Sequence, residues 1–235
     1  MSKVVVANWK MNPQTYAEAE QLMFSLIGTA KGQNTKVIIC PPFVWLTDLS
    51  HKYKNEISFG AQDIFWEDSG AYTGEISPKM LFSSGVEYVI VGHSERRALG
   101  ETDEMANKKM KAALSGGLIP ILAIGENDKS DNREEILFSQ LKTGLDGVDS
   151  SKIIIAYEPV WAIGPGEAET PEHAVEAVGM IKKIVGDIPV LYGGSVDSKN
   201  VSDFVSRPEI GGVLVGGASI DKEEIKKIIE ITLNA

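Results

Sequence analysis

Cysteine is nearly absent from this sequence: among its 235 residues only Cys40 carries a thiol. A single cysteine cannot form an internal disulfide, which excludes a fold stabilised by disulfide bonds. The amino-terminal segment MSKVVVANWK lacks a long apolar stretch followed by a small-residue cleavage site, so a secretory leader is not expected. We therefore expect a protein of the reducing cytoplasm.

Long apolar runs and an excess of positive charge are also missing. No run of about eighteen apolar residues occurs, which argues against a membrane-spanning helix. The formal net charge is −10 at pH 7 and lysine and arginine do not cluster, so nucleic acid is not an expected partner. An anionic small molecule is compatible with this charge if local donors bind it, because exposed charges are screened beyond roughly 8 Å.

Signatures of cofactor chemistry are lacking as well. The sequence contains no G-x-G-x-x-G after a strand pattern, no G-x-x-x-x-G-K-[ST] and no G-x-S-x-G. The three histidines, His51, His93 and His173, do not have the spacing of metal ligands. We expect neither a cofactor nor a metal ion.

Eight short segments rich in valine, isoleucine and aromatic residues recur along the chain. They cover residues 3–9, 36–40, 57–61, 86–92, 118–124, 152–158, 188–193 and 212–217. Most are continuous apolar runs rather than alternating ones, which is typical of parallel strands buried on both faces.

Helical patterns lie between these segments. They occur at residues 15–27, 45–53, 101–114, 133–141, 170–185 and 225–229, and those at 45–53 and 133–141 are the weakest. Thr15 and Glu18 have the spacing of a capping box, and Thr170 followed by Pro171 has the pattern of a helix start. The strands are thus separated by connections long enough for helical crossovers.

Eight strand and helix pairs favour an α/β fold, a closed (β/α)₈ barrel of eight parallel strands with outer helices. An open doubly wound sheet uses similar units and is the alternative. No linker, low-complexity stretch or repeat of fixed period is visible, so we expect residues 1–235 to form a single barrel domain.

In such a barrel, the residues at the carboxyl ends of the strands form the active site. Here they are Asn8, Trp9, Lys10, Gln62, 92–95, Glu126, Glu158, 192–195, Gly216 and Gly217. Any one of them is explained equally well as a charged loop residue or part of a tight turn. Lys10, His93 and Glu158 together supply a cation, an imidazole and a carboxylate, which an enolising site needs around one carbonyl.

Local sequence refines this hypothesis. Glu158 ends an apolar strand before Pro159, so partial burial would raise the proton affinity of its carboxylate, as a general base requires. The SERR that follows His93 is typical of a helix start, whose N–H groups favour a neutral imidazole. The glycines of YGGSV and LVGG let backbone N–H groups approach a phosphate, although ordinary turns also explain them.

Several motifs, in this order, resemble those of the triosephosphate isomerase family. They are ANWKMN, GAYTGEISP, GHSERR with GETDE, IGE, AYEPVWAIG, YGGSV and LVGGAS, and they span Ala7 to Ser219. The resemblance implies a TIM barrel that interconverts dihydroxyacetone phosphate and D-glyceraldehyde 3-phosphate through an enediol, without a cofactor. It also implies a place in glycolysis and gluconeogenesis.

The resemblance assigns roles to individual residues. Glu158 is the base that moves the carbon-bound proton, and His93 is the neutral electrophile that polarises the carbonyl. Lys10 and Asn8 hold the developing oxyanion and the substrate, and Glu95 supports Lys10. The phosphate is expected on the backbone N–H groups of Gly164, Ser195, Gly216 and Gly217. This division of roles is the one known for the family and is taken over from it.

The segment from Pro159 to Thr170 resembles the family's lid. Trp161 is its expected anchor, with Glu126, Tyr192 and Ser195 as partners. The sequence departs from the family at four places. Ala123 replaces a usual cysteine, the loop after His93 is one residue shorter, the segment after Glu126 is shorter, and PGEAE at 165–169 replaces a threonine and a lysine-threonine-alanine hinge.

The GAYTGEISP segment, residues 70–78, resembles the family's long third loop. Thr73 is expected to reach the active site of a second copy, which predicts a homodimer; a self-packed surface loop is the alternative. Other functions stay open from the residues alone: another phosphate-binding barrel enzyme, such as a sugar-phosphate aldolase or an indole-forming synthase, and a non-catalytic phosphometabolite-binding barrel or adhesive surface protein. A Schiff-base aldolase should carry a lysine inside a strand such as the sixth, which here ends in Glu158.

Overall fold

The computed structural model describes residues 2–29, 35–163 and 169–235. Within these residues, eight parallel strands pair in chain order and close into a barrel, because β8 pairs with β1. They are β1 Lys3–Asn8, β2 Thr35–Cys40, β3 Ser58–Ala61, β4 Tyr88–Val91, β5 Ile119–Ile124, β6 Ile154–Tyr157, β7 Val190–Tyr192 and β8 Gly212–Val215. The closed (β/α)₈ barrel is confirmed, and the open sheet is excluded.

The helices surround this barrel. The described residues form α1 Tyr16–Ile27, α2 Phe43–Tyr53, α3 Pro78–Ser83, α4 Ser94–Ala98, α5 Asp103–Ser115, α6 Arg133–Gly144, α7 Pro171–Val185, α8 Val201–Val205 and α9 Lys222–Leu233. Short 3₁₀ turns cover Ser150–Lys152, Val160–Ala162 and Gly217–Ile220. None of the helices in the described part of the chain has the length and apolar character needed to cross a bilayer.

The strands are buried on both faces, which accounts for their continuous apolar sequences. One cluster fills the barrel interior: Val4, Val6, Ile38, Cys40, Tyr88, Ile90, Ile121, Ala123, Ile154, Ala156, Leu191 and Leu214. The intervening strand residues belong to a larger cluster between strands and helices. Full burial raises the pKa of the Cys40 thiol, so this side chain acts as a small apolar residue.

Side-chain alternation aims two site residues at the barrel mouth. Val4 and Val6 face inward, and Asn8 continues that series two residues later. Ile154 and Ala156 face inward on β6, and Glu158 continues their series beyond the strand end. Both polar side chains therefore lie above the uppermost apolar layer, at the carboxyl ends of their strands.

The helix starts follow the predicted capping chemistry, with one shift. Thr15 and Glu18 form a complete capping box, and Thr170 accepts a hydrogen bond from the amide of His173. The third predicted helix begins at Asp103 rather than Glu101, because Thr102 is the cap and Glu101 turns into the protein. On α7, Ile184 is exposed, whereas Ile181 and Val185 are buried.

Candidate active site

The loop after β1 holds Lys10 in an unusual backbone conformation. Its φ angle is 53°, in the left-handed region that costs a non-glycine residue about 1–3 kcal/mol. The Lys10 amide donates to Asn8 Oδ1 at 3.0 Å, and Gln62 Nε2 donates to the Lys10 and Cys40 carbonyls, each at 2.8 Å. Asn8 and Gln62 thus stabilise the turn that directs Lys10 over the barrel.

The Lys10 ammonium lies between the ends of β1 and β8. It pairs with Glu95 Oε1 at 2.5 Å, the contact in which Glu95 was predicted to support it. A Cβ added at Gly216 would lie 3.0 Å from Lys10 Cε, so the glycine allows the lysine side chain to cross there. More than half of the Glu95 side chain is exposed in the single chain.

His93 caps the short helix α4 with its own ring. The ring is buried, and Nδ1 accepts a hydrogen bond from the Glu95 amide at 3.2 Å. A nitrogen that accepts carries no proton, so in a neutral imidazole the hydrogen is on Nε2. Nε2 lies 3.3 Å from Glu158 Oε1 and borders the cavity described below.

Glu158 is buried where β6 ends. Its Oε2 accepts from the Ser94 amide at 2.9 Å, and Oε1 has no hydrogen-bond partner among the described residues. Two glycines make room for it: a Cβ at Gly193 would lie 2.9 Å from Glu158 Cγ, and one at Gly125 would lie 1.8 Å from the Glu158 carbonyl oxygen. The predicted base therefore occupies a pocket shaped around it, next to the predicted electrophile.

A cavity of about 420 Å³ opens over the barrel mouth. Its lining includes Lys10, His93, Ile163, Ser195, Leu214, Gly216 and Gly217. Gly216 and Gly217 lead into the 3₁₀ turn Gly217–Ile220, and their backbone faces the cavity. The Ser195 amide donates to the Ala162 carbonyl at 3.1 Å, so this predicted phosphate donor is engaged within the protein. Gly164, the fourth predicted donor, lies outside the described residues.

Of the predicted lid partners, Glu126 contacts Trp161; it follows β5 and is buried. Its Oε1 accepts from Trp161 Nε1 at 2.9 Å, from the Tyr157 hydroxyl at 2.9 Å and from Arg133 Nε at 3.1 Å. The Tyr192 hydroxyl is buried and has no partner within the described part of the chain. Trp161 and Glu126, which were predicted to pair as lid anchor and partner, are thus in contact.

A second polar cluster, absent from the sequence-based predictions, supports the residues before His93. Glu101 Oε1 accepts from the Gly92 amide at 2.9 Å, and its Oε2 pairs with Lys109 Nζ at 2.5 Å. Lys109 also pairs with Asp63 at 2.6 Å. Asp63 is distant from Lys109 in sequence, and Glu101 does not have helix or strand spacing from Gly92 or Lys109, so no spacing rule predicts these contacts.

Arg97 contacts two of the places where the sequence departs from the family pattern, the loop around His93 and Ala123. Arg97 donates to the Gly92 carbonyl at 2.7 Å and the Ala123 carbonyl at 3.3 Å, and it pairs with Asp103 at 2.6 Å. The shortened loop is therefore closed by a guanidinium. Of the segment 165–169, only Glu169 lies within the described residues, and it is buried.

Comparison with known proteins adds the family. A family model described as triosephosphate isomerase matches residues 3–232. A protein named triosephosphate isomerase from Dictyoglomus thermophilum is 45% identical, over 97% of this chain and 98% of its own length. Proteins of the same name from Dehalococcoides mccartyi strain BAV1 (45% identical, 97% of this chain, 96% of that one) and Thermoanaerobacter sp. strain X514 (43%, 96% and 98%) are also similar. The chain belongs to the triosephosphate isomerase family.

Proposed function

We propose that this chain interconverts dihydroxyacetone phosphate and D-glyceraldehyde 3-phosphate through an enediol(ate), by acid–base proton transfer without a cofactor. The observation that carries the proposal is that Lys10 and His93 line one cavity bordered by glycine backbone, and that the buried Glu158 carboxylate lies 3.3 Å from the His93 ring. Family membership supports the choice of substrates. On the same basis we propose a cytoplasmic enzyme of glycolysis and gluconeogenesis.

Local donors bind the substrate phosphate although the chain as a whole is acidic. The backbone N–H groups of Gly216 and Gly217 and the Lys10 ammonium are the donors at the cavity, and glycine permits close approach. Ser195 joins them only after its amide leaves the Ala162 carbonyl. Gly164 remains a proposed donor on the strength of the family pattern.

Glu158 moves the proton between the two carbons. In the structure its carboxylate is held by the Ser94 amide, so it rotates about its side-chain bonds to reach the substrate carbon. It then removes the hydrogen next to the carbonyl and returns it to the former carbonyl carbon, while the proton of the neighbouring hydroxyl passes to the former carbonyl oxygen. Gly193 lies against Glu158 Cγ, since an added Cβ there would be 2.9 Å away, so the base of the side chain stays in place while the carboxylate rotates.

His93 and Lys10 stabilise the negative charge that develops on oxygen. The Nε2–H of a neutral His93 donates to the carbonyl oxygen, since Nδ1 is occupied by the Glu95 amide. Lys10 adds a positive charge, and Asn8 and Glu95 hold it in place. Asn8 and Glu95 thus act on the reaction mainly through Lys10.

The acid–base groups and the oxyanion donors account for only part of a typical enzymatic rate enhancement. General acid–base catalysis contributes about 10²- to 10⁴-fold and an oxyanion donor about 10²- to 10³-fold. Their product, about 10⁴ to 10⁷, reaches only the lower part of the usual enzymatic range of about 10⁶ to 10¹⁷. Phosphate binding and exclusion of water therefore supply the rest.

The rival functions are less well supported. The sixth strand, Ile154–Tyr157, contains no lysine that could form a Schiff base. A non-catalytic phosphometabolite-binding barrel would need the glycine-lined cavity but not a buried carboxylate beside a buried imidazole. Placing two such groups together is unfavourable for folding, so it indicates a catalytic purpose.

We also propose a homodimer formed through the loop around Thr73. Residues 71–75 are exposed in the single chain, as are several apolar side chains in the segments after β1, β2 and β3: Met11, Phe43, Val44, Tyr72, Met80 and Phe82. The base of the loop is self-packed, since Phe65 stacks against Trp66 and contacts Tyr72. A partner that covers the loop tip and these side chains would remove them from water.

A coupled assay tests the activity directly. The purified chain should convert D-glyceraldehyde 3-phosphate to dihydroxyacetone phosphate, and His93→Gln should lower kcat by about 10²- to 10³-fold because it removes the oxyanion donor. His51→Gln, an exposed histidine elsewhere, is the matched control and should keep full activity. No turnover by the folded wild type would favour the non-catalytic barrel.

A further inference from the structure

A buried cluster beside the active site contains two carboxylates that share one hydroxyl group. Glu126 Oε1 lies 2.9 Å from the Tyr157 hydroxyl, and Glu169 Oε2 lies 3.2 Å from the same oxygen. Both glutamates are almost fully buried. They come from different parts of the barrel, since Glu126 follows β5 and Glu169 directly precedes the cap of α7.

The number of protons in this cluster is limited. The Tyr157 hydroxyl has one hydrogen and can donate it to only one of the two carboxylates. If both were ionised, the second contact would bring two oxygens together with no hydrogen between them. A proton on Glu169 removes this conflict, because Glu169 then donates to the Tyr157 oxygen while Tyr157 donates to Glu126.

The charges lead to the same assignment. Arg133 Nε lies 3.1 Å from Glu126 Oε1, whereas its Nη2 lies 3.5 Å from Glu169 Oε2. One guanidinium neutralises one carboxylate, and the closer contact is with Glu126. Glu169 Oε1 has no hydrogen-bond partner in the described part of the chain, although His173 Nδ1 lies 3.4 Å away. A buried carboxylate without a matching cation is strongly disfavoured.

Groups from every neighbouring element face Glu169. They are Glu126 after β5, Arg133 on α6, Tyr157 on β6, His173 on α7 and Tyr192 on β7. Burial raises the pKa of Glu169, and the nearby charge of Glu126 adds to this rise. Arg133, the Tyr157 hydroxyl and His173 act in the opposite direction and lower the pKa of Glu169. Burial also raises the pKa of Tyr157 and of Tyr192, so both phenols keep their hydrogens.

We propose that Glu169 is protonated, that Arg133 and the Tyr157 hydroxyl therefore stay bound to Glu126, and that Glu169 is thereby a positioning residue for Glu158. The inference rests on the proposed isomerase activity. Glu126 links Glu169 to the segment that follows Glu158. Its carboxylate binds Trp161 Nε1, and its backbone carbonyl accepts a hydrogen bond from the Val160 amide at 3.0 Å.

The segment held in this way directly follows the base. Pro159, Val160 and Trp161 come immediately after Glu158, so a shift of Glu126 is passed to the backbone of Glu158 through two anchors. When Glu169 ionises, it competes with Glu126 for Arg133 and for the single hydroxyl hydrogen. Because the pKa of Glu169 is raised, the protonated form persists above the ordinary glutamate range and is lost as the pH rises further.

The test compares Glu169→Gln with wild type from about pH 5 to about pH 10. Glutamine keeps the shape and a donor for the Tyr157 oxygen but cannot ionise. The ratio of kcat/KM in Glu169→Gln to that in wild type should rise with pH through one ionisation, whereas Glu172→Gln, an exposed neighbour paired with Arg207, should give a flat ratio. A flat ratio for Glu169→Gln as well would overturn the proposal.

A second readout does not depend on activity. The fluorescence of Trp161, obtained as the difference between wild type and Trp161→Phe, should titrate without substrate at the same midpoint, and Glu169→Gln should abolish that titration. If Glu169→Gln does not fold, His173→Gln serves instead, because His173 is half exposed and its loss should be tolerated. His173→Gln should shift the midpoint of the Trp161 fluorescence titration. An unchanged midpoint contradicts the proposal. An inactive wild type would refute the proposed function, while the Trp161 titration would still decide the role of Glu169.

Discussion

At the residue scale, the predicted base is held by very few contacts. Within residues 2–29, 35–163 and 169–235, the Glu158 carboxylate accepts one hydrogen bond, from the Ser94 amide, and it lies next to the His93 ring. A carboxylate that is buried with a free oxygen is ready to accept a proton, provided that its position is maintained. Its position therefore matters more than its charge alone.

This dependence on position predicts the effect of Glu158→Asp. The change keeps the carboxylate but withdraws it by one methylene, and a displacement of about 1 Å can lower the rate by about 10²-fold. We expect kcat to fall by at least that factor, with little change in thermal unfolding. Glu176→Asp, on the exposed surface of α7, is the control. Unchanged kcat in Glu158→Asp would remove Glu158 from its role.

The catalytic candidates could be predicted from the sequence, but their partners could not. Lys10, His93 and Glu158 follow strand segments directly, so the barrel prediction alone places them at one end of the fold. The Ser94 amide that holds Glu158 is a backbone group and leaves no trace in the residue types. Arg133 and Glu169 meet across the surface between α6 and α7, a contact that no spacing rule predicts.

At the scale of elements, strands were easier to predict than helices. Burial on both faces gives each strand a continuous apolar sequence, which is visible without knowledge of its neighbours. By contrast α3, α4 and α8 have six, five and five residues, too few for two turns of amphipathic periodicity. The sequence showed the start of α4 only through the SERR segment.

The polar cluster between β3 and α5 predicts a stability effect. Lys109 is buried and pairs with Glu101 and Asp63, so Lys109→Met leaves a buried carboxylate without its main cation. Loss of one partner of a buried pair costs about 3–5 kcal/mol in unfolding free energy. Lys108→Met changes an exposed neighbour and should cost no more than about 1 kcal/mol. Urea unfolding of both variants measures the difference, and equal losses would contradict this account.

At the scale of the whole molecule, the exposed apolar side chains after β1, β2 and β3 predict a dimer. Sedimentation at micromolar concentration should give twice the chain mass for wild type. Thr73→Arg places a charge at the exposed loop tip and should shift the equilibrium toward monomers, with lower kcat because Thr73 is expected to complete the partner's site. Ser202→Arg, exposed on α8, should change neither. A monomeric wild type would contradict the dimer.

The most direct test of the whole account follows the proton. If Glu158 takes a hydrogen from one carbon and returns it to the next, isomerisation in D₂O should place deuterium on the receiving carbon in a measurable fraction of turnovers, because a carboxylic acid can exchange its proton with solvent. Mass spectrometry of the product measures this, and Glu158→Gln should neither isomerise nor exchange. Rapid isomerisation by wild type with no deuterium at that carbon would indicate a hydride shift and contradict the mechanism.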